Sequence, residues 1–156
     1  MKREVATLII CSVLMGCMAA GEETAGAMRI VPSLKVLETA SADDFVGSWH
    51  GVAVDRPNEG TERMTMSLAV SSPKEGNWVG IVSGSVVDGK HQKVKLALRG
   101  NKLAFRMPAK GWPMDIWLGL ESDSKSSVLG VGLPAPATGW TEREDSFSIR
   151  LARDTE

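Results

Sequence analysis

Four stretches of this chain alternate apolar and other residues one for one, and that alternation restricts the fold more than any other feature. Met64, Met66, Leu68 and Val70 alternate with Thr65, Ser67 and Ala69; Val94, Leu96 and Leu98 with Lys93, Lys95 and Ala97. Leu103, Phe105 and Met107 alternate with Lys102, Ala104 and Arg106; Phe147, Ile149 and Leu151 with Ser148, Arg150 and Ala152. Successive side chains on a strand point to opposite faces, so each run predicts a strand with one buried and one wet face. Stretches 47–55, 77–87 and 114–121 fit the pattern less cleanly. Val128–Leu133, with Gly130 and Gly132 alternating, makes an eighth.

The connections agree with that reading. Asp88-Gly89 and Gly100-Asn101 are two-residue hairpin signals flanked by alternation. Ser72–Gly76 and Ser122–Ser127 are polar breakers. Eight short antiparallel strands joined by tight turns predict an all-β, up-and-down barrel, because closure removes edges that would invite aggregation. With 156 residues there is room for one compact domain, placed at 43–156. Ser41 is positioned to cap a helical turn through Ala42, Asp43, Asp44 and Phe45. On the first strand Gly51 and Ala53 share the parity of Trp49 while Val52 and Val54 do not, which predicts a bulge near Gly51.

The N-terminal segment reads as an address rather than as part of the domain. Lys2 and Arg3 precede an apolar stretch from Val5 to Met15, too short for an ordinary transmembrane helix and followed by small residues. These are the marks of an export signal. Leu14-Met15-Gly16-Cys17 resembles the lipobox of bacterial lipoproteins, which implies a signal peptide at 1–16, acylation of Cys17 and a membrane anchor through it. Met18, rather than Asp, after the cysteine implies the outer membrane, facing the periplasm. The alternative is ordinary cleavage near Ala19-Ala20, giving a secreted or periplasmic protein. No cysteine follows Cys17, so the exported domain holds together without a disulfide. Loss of Lys2, Arg3 and Glu4 takes the formal charge from −1 to −2, so attraction to an acidic membrane surface is not the means of attachment. Residues 17–42 read as a tether, with apolar stretches at Ile30-Val31 and Leu34–Leu37 able to dock on the domain.

Gly47-Ser48-Trp49 opens the first strand, Trp78-Val79-Gly80 follows a polar turn, Asn101–Phe105 comes next and Ser146–Leu151 closes the chain. In this order the residues resemble the lipocalin-like (calycin) barrels, over roughly residues 45–153. They also resemble small β domains found beside hydrolases in bacterial secreted proteins. The lipocalin-like resemblance implies that Trp49 plugs the closed end, with Gly47 before it and an arginine from the last strand stacked on its ring. Arg150 and Arg153 are the candidates, and Arg153 shares the parity of Phe147, Ile149 and Leu151.

Up-and-down connectivity gathers the loops Asp55–Glu62, Asp88–Lys90, Pro108–Pro113 and Pro134–Arg143 at the end opposite Trp49. These carry Gly111-Trp112 and Gly139-Trp140, flanked by Met64, Met107 and Met114. Two indoles and three thioethers make an adaptable apolar surface, so these five residues are the candidate binding site. The alternative is that both indoles fold down as lids on a filled core. His50 and His91 stand in no metal-ligand spacing, and neither Gly-x-Ser-x-Gly nor a glycine-rich phosphate loop occurs. The chain therefore predicts no catalytic residue, no metal and no cofactor. Without a basic run it predicts no nucleic-acid partner. What remains is a non-catalytic binding barrel of the cell envelope, for a small apolar ligand or an envelope component. The alternative is a protein-interaction module such as a hydrolase inhibitor or accessory domain.

Overall fold

The computed structural model describes residues 35–55, 62–109, 111–135 and 146–155. The expected signal segment 1–16, Cys17, the expected tether as far as residue 34 and Trp140 lie outside these residues. Among the described residues nine strands form a single sheet: β1 Gly47–Asp55, β2 Arg63–Val70, β3 Val79–Ser83, β4 Gln92–Lys95, β5 Ala97–Arg99, β6 Lys102–Ala109, β7 Trp112–Leu120, β8 Ser127–Pro134 and β9 Phe147–Arg153. Every pairing is antiparallel, and the order is β4-β3-β2-β1-β9-β8-β7-β6-β5.

That order is a ring with one seam. Each strand lies beside its sequence neighbour, β9 returns to β1, and the terminal strands β4 and β5 are separated only by Leu96. The eight strands expected from sequence are therefore nine here. The expected fourth strand divides, its first half pairing with β3 and its second with β6. Leu96 makes the crossing: its N–H donates to the Trp78 carbonyl at 2.9 Å while its side chain is buried. The result is a nearly closed up-and-down barrel.

The interior is lined by the residues that alternation selected. Met64, Met66, Leu68, Val94, Leu103, Phe105, Met107, Ile149 and Leu151 all belong to one buried cluster, and Val82 of β3 joins them. Met114, Ile116, Leu118 and Leu120 of β7 complete the wall. In β1 the register with β2 runs one to one from Gly47↔Val70 to Val54↔Arg63, so the bulge expected near Gly51 is absent. Ala53 points inward, and Val52 is left outside. Small residues face inward on β1 because the neighbouring backbone is close: a Cβ on Gly51 would sit 2.1 Å from the Arg150 carbonyl oxygen.

Two other expectations change. The strand expected at 77–87 ends at Ser83, and Ser85–Val87 form a 3₁₀ turn. There the Ser85 hydroxyl accepts the Thr65 N–H at 2.9 Å, so a side chain caps the upper part of β2. The loop expected at Pro108–Pro113 is instead the tip of a hairpin, with Pro108↔Pro113 and Ala109↔Trp112 paired. Pro108 is tolerated because β5 pairs only as far as Ala104 of β6, leaving the upper half of β6 as an edge.

Residues 35–46 run across the end of the barrel where β1 begins, here the lower pole. Val36 bridges Glu121, and the Leu37 N–H donates to the Leu120 carbonyl at 2.8 Å. Leu37, Ala40 and Ala42 pack on the core. Ala42–Phe45 form a 3₁₀ turn in which the Ser41 N–H and hydroxyl both donate to Asp44 Oδ2, at 2.9 and 3.0 Å.

Candidate functional site

The lower pole is sealed. Phe45 is the last residue of the 3₁₀ turn, and its carbonyl accepts the Trp49 indole N–H at 2.8 Å. The Arg153 guanidinium lies 4.2 Å from the centre of the Trp49 ring. Its Nη1 donates to the Val46 carbonyl at 2.6 Å and its Nη2 to the Asp44 carbonyl at 2.5 Å. Gly47, at φ +127°, lets the chain turn into β1 there, and a Cβ on it would stand 3.1 Å from Arg153 Nη1. Gly47, Trp49 and Arg153 are thus brought together in one knot. Trp78 closes the same pole from the β2–β3 side, its indole N–H donating to the Ser71 carbonyl at 2.8 Å.

Two ion pairs tie the outside of this pole. Lys125 Nζ reaches Asp44 Oδ1 at 2.6 Å. The Lys125 hydrogen bond, then those from Ser41, hold the Asp44 carboxyl down at about 2. The Ser127 hydroxyl, then Arg150 at 2.8 Å, hold the Glu121 carboxyl below the ordinary glutamate range.

The upper pole holds Trp112, Met64, Met107 and Met114, four of the five residues proposed from sequence to bind; the fifth, Trp140, lies outside the described residues. Met107 and Met114 face each other across β6 and β7, and Met64 stands opposite Ala53. All three methionines are buried in the core cluster. They fill the upper barrel rather than line an exposed rim. Trp112, paired with Ala109 at the hairpin tip, is 50% exposed.

A third region was not singled out by the sequence reading. Ala104, Trp117, Val131 and Leu133 form a second buried apolar cluster. They have the opposite parity to the interior residues of β6, β7 and β8, so they lie on the outer face. Ala104↔Trp117 and Trp117↔Val131 are cross-strand partners. Beside them Arg106 clamps Asp115 through two bonds, 2.6 and 3.1 Å, with the Asp115 side chain 3% exposed. Among the described residues the buried Trp117 indole N–H has no hydrogen-bond partner. A signal was present in the sequence: 128–133 carries no polar residue on either parity, as strands covered on both faces do not, and Trp117 stands on the otherwise polar parity of 114–121, between Asp115 and Glu121.

On the far side of the barrel His50 Nδ1 pairs with Asp154 on exposed surface. A shallow open groove of about 420 Å³ lies between Ser48, Ala69, Ser71 and Ile81. Among the described residues no three His, Cys, Asp or Glu side chains gather as metal ligands would.

No protein-family model matches this chain, and no curated protein aligns with it. Among solved structures, a redesigned beta barrel matches with a TM-score of 0.51 at 14% identity, over 73% of this chain and 95% of that one. The likeness is one of fold.

Proposed function

We propose that this chain is an exported envelope lipoprotein, anchored through Cys17, whose lipocalin-like barrel recognises a macromolecular envelope component without catalysing a reaction. The observation that carries the recognition reading is the filling of the barrel. Small barrels pack their interior with side chains, and here Met64, Met107, Met114 and Phe105 occupy the space a calyx would leave open. Recognition then falls to the outside, where loops and strand ends on a rigid scaffold usually carry it. Trp112 supports this: a half-exposed indole at a hairpin tip is the residue type that anchors protein contacts. The basic start, short apolar core and Leu14–Cys17 motif support export and lipidation, and Met18 rather than Asp after the cysteine supports the outer membrane.

The recognition reading is tested with a photo-crosslinking amino acid at position 112, compared with the same probe at Glu75 on the opposite pole. A discrete adduct at 112 and none at 75 is the expected result. Equal labelling at both positions, or a saturable shift of tryptophan emission on titration with fatty acid, would overturn it. Labelling with a palmitate analogue tests the anchor separately: incorporation is expected to disappear in Cys17→Ala, and its survival refutes the lipobox reading.

A further inference from the structure

The cations of this chain are unevenly spread. Between Gly89 and Met114 stand seven lysines and arginines and no aspartate or glutamate, although acids slightly outnumber bases in the chain as a whole. Lys93 and Lys95 of β4 and Arg99 of β5 are exposed, and they share the outward parity that runs through the crossing at Leu96. Lys93 and Arg99 are six residues apart, about 20 Å of extended chain. Lys102 of β6 widens the row, because it is the cross-strand partner of Arg99.

This face differs from the other side of the barrel in how its charge is met. There Arg150 pairs with Glu121, Lys125 with Asp44 and His50 with Asp154. Among the described residues Lys93, Lys95 and Arg99 meet no carboxylate. Arg99 and Lys102 stand directly opposite each other, and like charges in that position weaken an antiparallel pair. An external anion relieves that repulsion. Ile81, 47% exposed, is the cross-strand partner of Lys93, and Val79 is that of Lys95, so an aliphatic edge borders the row. Among the described residues the outer face of β3, β4 and β5 carries no aromatic side chain, so it lacks the stacking platform of a single-stranded nucleic-acid site. Outward cations beside an exposed aliphatic side chain suit an acidic lipid surface, which offers phosphates and an apolar boundary together.

We infer that the outer face of β3, β4 and β5 binds an acidic lipid bilayer, with Lys93, Lys95, Arg99 and Lys102 on headgroup phosphates and Ile81 among the headgroups. The chain's slight negative charge does not oppose this. Charges act over about 10 Å at 0.1 M salt, so the row outweighs acids on the far side. On the anchored reading Cys17 attaches the protein and the row turns one side of the barrel to the membrane. That orientation rests on the anchor; the affinity for acidic lipid does not.

The test uses the full chain with Cys11→Ala and Cys17→Ala and one new thiol, Ile81→Cys, labelled with nitrobenzoxadiazole. Its emission is expected to rise about twofold or more on phosphatidylcholine vesicles with about 30% phosphatidylglycerol, and not on phosphatidylcholine alone. The same label at Ser148→Cys, exposed on the outer face of β9, shares the N-terminal segment and is expected not to respond. Lys93→Gln, Lys95→Gln and Arg99→Gln together should cut the response at position 81 about tenfold or more, since each cation near an acidic surface is worth about fivefold. Lys93→Gln with Lys95→Gln serves as a second variant should the triple fail to fold. Equal responses at positions 81 and 148 overturn the proposal, because the N-terminal segment would then be carrying the barrel to lipid in no set orientation. A response that survives the glutamines, or that neutral vesicles also give, overturns it as well. A response to soluble polyphosphate but not to acidic vesicles overturns it and assigns the row to a soluble polyanion.

Discussion

Arg153 joins the last strand to the segment that precedes the first. Its guanidinium bonds two carbonyls of that segment and covers the indole that plugs the pole. Lysine has one compact ammonium and cannot span both carbonyls while stacking on a ring. A charged hydrogen bond contributes about 1.5–3 kcal/mol, and a cation over an indole about 0.5–2 kcal/mol. Arg153→Lys is therefore expected to cost about 1–3 kcal/mol in urea unfolding, and Arg153→Ala more. Asp44 gives the same knot a pH dependence. Its carboxyl is held at about 2, so the charged form favours the fold. That contribution is complete above the ordinary aspartate range, near 4, and is lost as pH falls through the folded value. Thermal melts should show wild type above Asp44→Asn at pH 6, with the difference narrowing below pH 4 and closing near pH 2.

At the scale of strands, glycine marks where backbones approach most closely. A Cβ on Gly51 would meet the Arg150 carbonyl at 2.1 Å, whereas Gly76, in the β2–β3 turn, has nothing within 4 Å. Overfilling a packed contact costs about 1–3 kcal/mol or more, so Gly51→Ala should part β1 from β9 and lower the unfolding midpoint sharply. Gly76→Ala carries only the cost of its φ of +70°, about 1–2 kcal/mol. The same crowding explains what could be read from the sequence and what could not. The strands carrying Met64–Val70, Leu103–Met107 and Phe147–Leu151 were legible because one face is wet and alternation follows. The span of β1 was read as it stands, but a bulge was expected in it because its inward residues were chosen for room, with Gly51 and Ala53 facing the barrel where larger Val52 does not fit. The break at Leu96 leaves no pattern at all, since β4 and β5 keep the same parity through it. For the knot of Gly47, Trp49 and Arg153, family resemblance supplied the roles, and strand parity chose Arg153 over Arg150. Trp117 was passed over because it shares its parity with Asp115 and Glu121, so that face of β7 read as a wet one.

For the molecule as a whole, the decisive quantity is whether the barrel is full. A calyx and a filled barrel share strand order and differ in what stands inside the upper half, here Met64, Met107 and Met114. Methionine fills irregular space well and leaves it open when truncated. Met107→Ala removes one buried thioether directly across from Met114, and a change of this kind costs about 2–5 kcal/mol, according to how far the site collapses. Apolar cavities made this way stay dry and accept small apolar molecules. Met107→Ala is therefore expected to melt lower than wild type and to regain several degrees in saturating benzene or indole, since a ligand bound only to the folded state stabilises it by mass action. Wild type should show no such gain, because its methionines already occupy the volume. A gain in wild type equal to that in the variant would mean that the upper barrel opens to ligand unaided. The recognition site would then move from the exposed Trp112 into the interior, and the small apolar ligand would displace the envelope component as the thing recognised.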